Sequence, residues 1–437
     1  MYILDHPQAE ALLDDANLST AAVETCAGQL ETFVARYLPC FHRSEQRQHA
    51  RTILRGKLTG LDRKTTEPIA AQAGQKRRPL QLFVGAGGWD DQAVLGELRQ
   101  HVRAELGDSE GVFVLDPSAF PKKGTASCGV ARQWCGRLGK VDNCQVGVFL
   151  AYATPRGCAL LEGRLYLTED WAADASRRLA TQVPATVVFQ EKWRISLEQL
   201  DRARADLAGR WVVGDDELGR CSVLRAELRS RRLLYVLDVP CNTLVRELNE
   251  RQPPGGRPRL PAFERVDRWL ARQPQGRWRK VTVRDGEKGP LTVEVLQATV
   301  QTKDEDGAVG ARERLTVLRS CEAQPQLWYT LSNAHTAQRD VVARVHGMRH
   351  RIEELLAQGN GEVGLDHYEV RSWVGWHHHM TLSLLALWFL QTERLRLGGK
   401  NPGRNRGPGA GDFHGTAAAA GAQPGCHRGG SQSRAAA

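Results

Sequence analysis

Short apolar runs near the middle of this chain constrain its fold more than any other feature. Three of them follow one another closely, over residues 111–116, 145–153 and 158–167, with Gly, Pro and Asn between them. Their Val, Leu, Phe and Tyr content is typical of β-strands. Two further runs, over residues 210–215 and 233–240, alternate with helix-like stretches. Consecutive strands followed by strands that alternate with helices predict an α/β protein with a mixed sheet.

The segments around these strands have different compositions. Before them, short helix-like stretches with Gly-containing turns carry many arginines and are compatible with a helix-turn-helix-like DNA-binding module. After them, isolated strand-like runs indicate a β-rich insertion, residues 336–357 resemble one long helix, and a final Gly-, Ala-, Arg- and Pro-rich stretch predicts disorder. We therefore predict a helical, basic DNA-binding region (residues 1–105), the first part of an α/β core (106–240), a β-rich insertion (241–325), the second part of the core (326–397) and a disordered tail (398–437).

The charge of the chain favours a nucleic acid as its partner. The formal net charge is +10 and the pI is near 9.2, and such an excess attracts polyanions, with nucleic acid ahead of an anionic membrane. It is concentrated between His42 and Pro79, where ten Lys and Arg residues stand against three acids. A solvated helix face is the alternative explanation. The arginines of this segment that we predict to contact DNA are Arg51, Arg55, Arg77 and Arg78.

Membrane insertion and disulfide bonding are not expected. The N-terminus is acidic and lacks the basic and apolar regions of a secretory signal. The apolar run from Leu382 to Leu390 is shorter than the about 20 residues that a bilayer requires. Ten cysteines are scattered without a CxxC pair, and Cys128, Cys135 and Cys144 fit no common zinc spacing. We expect a reduced, cytoplasmic protein with buried thiols.

Acidic residues stand at the ends of two of the predicted strands. Asp116 ends the first strand, and Asp215 and Asp216 end the fourth. Later in the chain, Glu353 and Glu354 lie beside apolar residues of a helical stretch. Two or three converging carboxylates would hold a pair of divalent metal ions for in-line attack at phosphate. A strand-end Asp is also a common turn residue or helix cap, so these residues by themselves indicate only a possible acidic metal site.

Several long blocks of the chain resemble DDE-type insertion-sequence transposases. The blocks are VFVLDPSAFPKKGTASCGVARQWCGRLGKVDNCQVGVFLAYA, EGRLYLTEDWA, WVVGDDELGR, YVLDVPCNT and RIEELLAQGNGEVGLDHYEVRSWVGWHHHMTLSLLALWFL. They span residues from about 30 to 395 in the order expected for that family. The resemblance implies an RNase H-like catalytic core with a β-rich insertion between its second and third acids, preceded by an α-helical DNA-binding region.

The resemblance also implies which acids act in catalysis. The first acid of the family falls on Asp116, the second on Asp215 with Asp216 as an alternative, and the third on Glu353. The interval between the second and third acids is long enough to contain the insertion. Together the three acids would hold two Mg²⁺ (or Mn²⁺) ions, which are the cofactors of the family.

Residues near these acids are implied to bind DNA. The family surrounds its Glu with the pattern Y-x2-R-x3-E-x6-K, in which Arg349 matches the Arg. His346 and Asn360 stand at the Tyr and Lys positions, so the chain departs from the pattern twice. Lys122 and Lys123 follow the first acid closely, and we expect them to contact phosphates.

Two other features are expected to be structural. His377, His378 and His379 resemble a metal-binding tag, but the family block also carries a His before its apolar helix, so we expect packing or a phosphate contact. The tryptophans, Trp134 among them, are expected in the core more often than as platforms for stacked bases.

The function expected from the resemblance is that of a transposase in the bacterial cytoplasm, associated with the nucleoid. It would hydrolyse a phosphodiester at a transposon end and transfer the exposed 3′-OH to target DNA. The N-terminal helices would bind the terminal inverted repeats, and a homodimer would pair the two ends. Two alternatives are a catalytically inactive or domesticated derivative that still binds DNA, and a general nuclease of the same fold.

Overall fold

The computed structural model of the chain describes residues 20–249, 260–286, 289–304 and 306–397. The acidic N-terminus and the predicted disordered tail therefore lie outside the described residues. Within the described ranges, no helix combines the length and the apolar character of a membrane span.

The described strands belong to one large sheet. They are β1 (Val112–Pro121), β2 (Ala131–Cys135), β3 (Lys140–Ala153), β4 (Cys158–Leu165), β5 (Trp211–Gly214), β6 (Leu234–Asp238), β7 (Leu244–Glu247), β8 (Glu264–Arg265), β9 (Arg279–Gly286), β10 (Gly289–Lys303), β11 (Val309–Ser320) and β12 (Leu327–Ser332). Their order is β2-β3-β1-β5-β6-β12-β11-β10-β7-β8, and β4 also pairs with β3 and β9 with β10.

Strand direction divides this sheet into two parts. β1, β5 and β6 run parallel to one another, whereas β3 and β12, which border this group on either side, run antiparallel to it. The remaining pairs, from β12 onward, are antiparallel. The β-rich segment thus continues the sheet of the core through β12, and the mixed α/β class predicted from the sequence is confirmed.

Helices lie before, between and after the strands of the sheet. They are α1 (Thr20–Tyr37), α2 (Ser44–Lys57), α3 (Thr66–Gln72), α4 (Arg77–Ala86), α5 (Asp91–Leu106), α6 (Glu169–Ala173), α7 (Ala175–Ala180), α8 (Lys192–Asp206), α9 (Asp216–Gly219), α10 (Ser222–Ser230), α11 (Val266–Ala271), α12 (Arg339–Gly347), α13 (His350–Val363) and α14 (Trp373–Arg396). The residues described before β1 are therefore mainly helical, as their sequence predicts.

Helix α14 lies in the middle of the main core. From Trp373 to Phe389 nearly every side chain is buried, and a helix without a polar face is stable only when neighbours surround it. Its neighbours are β4 on one side and α2, α4, α5 and α13 on the others. The N-terminal helices share this core with the sheet, because Ile53 and Leu80 belong to the same buried cluster as Leu385. A smaller cluster lies between α11 and the β-rich part of the sheet.

Strand β1 is longer than predicted. Its parallel pairing with β5 stops at Leu115, so Asp116 is the first residue beyond that pairing. The antiparallel partner β3 is longer and continues to pair with β1 up to Pro121, opposite Cys144. Asp116 therefore lies inside β1 and not at its end, because the two neighbours of the strand differ in length.

The predicted single helix over residues 336–357 is two helices. α12 and α13 meet at Met348 and Arg349. The preceding Gly347 has a low helix propensity, and it packs so closely on β9 that an added Cβ would lie 2.7 Å from Cγ1 of Val283. The break arises where the helix must pass this strand.

Candidate active site

The parallel strands bring three aspartates to one edge of the sheet. Leu115 of β1 is level with Gly214 of β5, and Gly214 is level with Leu237 of β6. This edge, outside the carboxyl ends of parallel strands, is where open α/β sheets place their ligands. The residue that follows on each strand is an aspartate: Asp116, Asp215 and Asp238.

Local contacts favour Asp215 over Asp216 as the second acid. Asp215 follows four buried residues of β5, and its Oδ1 accepts a hydrogen bond from the Leu218 amide at 3.0 Å, which caps α9. Gly219 ends α9 against β6, where an added Cβ would lie only 1.8 Å from the carbonyl oxygen of Asp238. Asp216 is exposed on the outside of this turn. The turn therefore fixes Asp215 beside β1 and β6.

Glu353 approaches the aspartates from α13. Its neighbours Ile352 and Leu355 are buried and fix the orientation of that helix. The Glu353 side chain is 45% exposed, and its carboxylate pairs with Arg349 Nη2 at 3.3 Å and His350 Nδ1 at 3.2 Å. Its charge nevertheless acts on the first aspartate, as the pKa values show.

Burial and repulsion between carboxylates dominate the electrostatics of the site. The pKa of Asp116 is raised well above its usual value because the carboxyl is desolvated and because Asp215 and, more weakly, Glu353 repel its charge. Burial raises the pKa of Asp215 to about 6, although the charge of Arg349 opposes this rise. Burial also raises the pKa of Glu353, but its hydrogen bond with His350 and the charge of Arg349 outweigh this and lower the pKa. The two aspartates thus occupy a position that favours a cation.

The oxygen donors of the site suit a hard divalent cation. Carboxylate oxygens are the ligands that Mg²⁺ and Mn²⁺ prefer, and a cation beside Asp116 and Asp215 would offset the repulsion between them. Within the described ranges, no three His, Cys, Asp or Glu side chains are grouped as a ready metal site. The Glu353 carboxylate is paired instead with Arg349 and His350. The donor chemistry fits the ion, while the third acid is not grouped with the other two.

Asp238 is a member of the site that the sequence reasoning missed. Its Oδ1 accepts a hydrogen bond from His346 Nε2 at 2.9 Å, and its Oδ2 lies 3.2 Å from Arg349 Nη1. Burial raises the pKa of Asp238, but the charge and hydrogen bond of His346 and the charge of Arg349 outweigh it and lower the pKa. The available signal is LLYVLDVP, a third apolar strand that leads into an acid.

The two lysines predicted to contact phosphate near the first acid differ in their exposure and in their contacts within the protein. Lys122 is half-buried. Its Nζ donates a hydrogen bond to the Tyr368 carbonyl oxygen at 3.0 Å and lies 5.1 Å from the centre of the Tyr368 ring. Lys123 is exposed. A contact between Lys122 and DNA would compete with these internal contacts, so Lys123 is the better placed of the two.

The predicted DNA-binding arginines lie on α2 and α4, which supply no acid to the site. Arg55 and Arg77 are exposed, and each pairs with a glutamate of a neighbouring helix, at 2.6 and 2.8 Å. Arg51 is half-buried and Arg78 is exposed. Their contact with DNA stays a prediction.

Other residues singled out in the sequence are structural, with one exception. His377, His378 and His379 are buried, and their ring nitrogens lie within hydrogen-bond distance of backbone carbonyl oxygens, so packing is their role. The nine cysteines in the described ranges are free thiols. The expectation of a core position is wrong for Trp134, which is 49% exposed. Successive side chains of a strand point to opposite faces of the sheet. In β2 the neighbouring Cys135 points to the buried face, so Trp134 points to solvent.

We expect the metal-free protein to lose stability at this site as the pH rises. The pKa of Asp215 is about 6 in the folded protein against an ordinary 3.8, so the folded state binds more protons between these values and is destabilised as the pH passes through them. Asp215→Asn removes this effect and keeps a side chain that caps helices well. The free energy of unfolding is measured with urea in EDTA. The variant's value minus the wild-type value should increase from about pH 4 to about pH 7. A difference that does not change with pH would contradict the assignment.

A comparison with protein families bears on the chemistry of these residues. A family model described as DDE superfamily endonuclease matches residues 36–290. The match covers more than half of the chain and contains Asp116, Asp215 and Asp238, whereas Glu353 lies beyond it. A comparison with curated proteins finds no match.

Proposed function

Because the chain belongs to the DDE superfamily endonucleases, a transposase-type family, we propose that it is a transposase that cuts the ends of an insertion sequence and joins the 3′-OH to target DNA. The family predicted from the sequence blocks is confirmed, and it implies DNA as the substrate. One observation carries the proposal. Asp116 and Asp215 each directly follow the last residue of the parallel pairing between β1 and β5, and Glu353 is close enough to act on the charge of Asp116.

The arrangement of strands around these acids supports an RNase H-like core. The five strands β4-β3-β1-β5-β6 form one end of the sheet, with β1, β5 and β6 parallel and β3 antiparallel to β1 and β4. The segment between the second and third acids contains β7 to β12, which agrees with a β-rich insertion. The first two acids are mounted on central, buried strands, which limits their movement.

The proposed cofactors are two Mg²⁺ or Mn²⁺ ions held by Asp116, Asp215 and Glu353. Such ions activate the attacking hydroxyl and stabilise the leaving oxygen of a phosphodiester. The chain supplies the conditions for their binding, because the buried strands hold two carboxylates together although they repel each other. Arg349 balances part of this negative charge, since its charge opposes the rise in the pKa of both aspartates.

DNA binding is assigned to the basic helices and to exposed basic residues near the acids. α2 and α4 would contact the terminal inverted repeats through the arginines described above, and Lys123 would contact phosphate next to the site. Two transposon ends must be paired, so we propose a homodimer in the DNA complex and an association with the nucleoid.

The function is tested with DNA that carries the inverted repeats flanking the gene. In Mg²⁺, the purified protein should cut this DNA at the repeat ends, and pre-cut ends with a free 3′-OH should become joined to a target plasmid. Equal cutting of DNA without the repeats would indicate a general nuclease. Binding of the repeats without cutting in Mg²⁺ or Mn²⁺ would indicate an inactive derivative, consistent with Asn360 at the Lys position of the family.

The same assay identifies the second acid. Asp215→Asn should reduce cutting to background, because Asp215 directly follows Gly214, the residue paired with Leu115 just before Asp116. Asp216→Asn is the matched control, since it removes the same charge one residue further along, where the side chain is exposed. The control should cut like the wild type. Comparable losses in both variants would overturn the choice of Asp215.

A further inference from the structure

We propose that Asp238 is a positioning residue of this site, which holds the guanidinium of Arg349 away from Asp116 and Asp215 and so leaves their carboxylates available to a divalent cation. The inference rests on the proposed function, since it concerns the metal site of the same reaction. It assigns a role to an acid that is neither one of the three catalytic acids nor exposed to solvent.

The contacts of Asp238 link the last parallel strand to both halves of the broken helix. Its carboxylate contacts His346, on the last turn of α12, and Arg349, the residue directly before α13. The same guanidinium reaches Glu353 through its other terminal nitrogen at 3.3 Å. One buried carboxylate therefore fixes the junction from which the third acid projects.

Four carboxylates act on the guanidinium of Arg349. The carboxylates with which it pairs determine how much negative charge remains at the metal site. Arg349 pairs directly with Asp238 and Glu353. Asp116 and Asp215, at the same edge of the sheet as Asp238, also lie within reach of its charge. Without Asp238, these two aspartates are the buried carboxylates that remain among the groups acting on its charge. A guanidinium paired with them would compete with a cation for the same oxygens.

The backbone of Asp238 is rigid enough to serve as this anchor. Asp238 is paired with Thr330 of β12, and Gly219 packs directly against its carbonyl oxygen. His346 stands at the Tyr position of the family pattern, pairs with Asp238, and has a side chain that is 12% exposed. Its ring centre lies 6.0 Å from that of Trp328. These contacts assign His346 to the support of Asp238, while its contact with DNA stays a prediction.

The first measurement is Mn²⁺ binding, followed by the loss of the electron paramagnetic resonance signal of the free ion, without DNA. Asp238→Asn should weaken Mn²⁺ binding by about tenfold or more, the range seen when groups that orient metal ligands are removed. Asp340→Asn is the matched control. It removes a half-buried Asp of α12 that pairs with Arg344 at 2.9 Å, and it should leave Mn²⁺ binding unchanged. Equal affinities in the two variants would overturn the inference.

The second measurement tests whether the effect passes through Arg349. Arg349→Gln should bind Mn²⁺ at least as tightly as the wild type, because no guanidinium remains to compete. In that background, Asp238→Asn should have no further effect, so the two changes should be strongly non-additive. Additive effects would mean that Asp238 acts by its own charge. Circular dichroism would reveal whether Asp238→Asn folds. If it does not fold, Arg349→Gln alone still tests the inference, since weaker Mn²⁺ binding by this variant would contradict it.

The outcomes separate this inference from the proposed function. Failure of the wild type to bind Mn²⁺ would overturn the inference. Normal Mn²⁺ binding with the expected pattern of variants, but no cutting of the repeat ends, would support the role of Asp238 and count against the transposase assignment alone.

Discussion

Asp116→Asn is expected to abolish metal-dependent DNA cutting and, without metal at neutral pH, to raise the unfolding temperature. The loss of activity follows because Asp116 would ligate the ions, whose charge stabilisation is worth several kcal/mol, or on the order of a thousandfold in rate. The gain in stability follows because the pKa of Asp116 is raised in the folded protein by burial and by Asp215 and Glu353. A group of this kind destabilises the folded state once the pH exceeds its ordinary pKa.

The two effects are measured on the same preparations. Cutting is followed on a labelled repeat end in Mg²⁺, and thermal unfolding is followed in EDTA and again in Mg²⁺. Mg²⁺ should raise the unfolding temperature of the wild type and have little effect on the variant, since a ligand stabilises only the state that binds it. Asp170→Asn, at an exposed position of α6, is the control and should behave like the wild type. A variant that cuts normally, or that unfolds earlier in EDTA, would contradict the assignment of Asp116.

Arg225→Ala is expected to be the most destabilising of the substitutions considered. Arg225 and Glu313 form a buried ion pair between α10 and β11, with Nε and Oε1 3.0 Å apart and side chains 4% and 1% exposed. Removal of the arginine leaves the glutamate buried without its main partner, which costs about 3–5 kcal/mol in comparable cases. Tyr235 and Arg229 still contact Glu313, so we expect a value near the lower end of that range.

Urea unfolding measures this cost, and a double variant identifies its cause. Arg225→Met with Glu313→Leu removes both charges and should be less destabilising than Arg225→Ala, because no buried charge is left unpaired. Arg220→Ala, which breaks an exposed pair with Asp216, should cost less than about 1 kcal/mol. A double variant less stable than Arg225→Ala would show that lost packing, and not the isolated charge, is responsible.

The Arg225 contacts also connect the β-rich part of the sheet to the site. The arginine donates from Nη1 to the Gly219 carbonyl oxygen at 2.5 Å, at the end of the turn that starts with Asp215. Its Nη2 donates to Thr302 Oγ1 of β10 at 3.2 Å. A folded Arg225 variant should therefore also cut DNA more slowly, because the turn that carries the second acid has lost one of its supports.

Features encoded by neighbouring residues were predictable from the sequence. The run WVVGDD predicts an apolar strand followed by an acid, and β5 followed by the α9 cap of Asp215 is what the structure contains. In these places the interactions that decide the structure lie within a few residues of one another.

Features that depend on distant residues were not predictable. Asp238 and His346 are 108 residues apart in the chain. The residues near Asp238 therefore give no sequence signal that predicts this contact. The continuation of β1 beyond Asp116 depends on the length of β3, and the break between α12 and α13 on the close approach of Val283. In each case the deciding partner belongs to another element, so local propensity gives way to packing.

The central position of α14 has a consequence for the synthesis of the protein. Residues 373–396 leave the ribosome after every other described element, yet they cover the apolar faces of β4, α2 and α4. Until then the earlier elements expose these faces, and such partly folded chains tend to aggregate or to be degraded. An interrupted polypeptide should therefore be unable to act as an incomplete nuclease. The proposed DNA-cutting activity would arise only after residues 373–396 have left the ribosome.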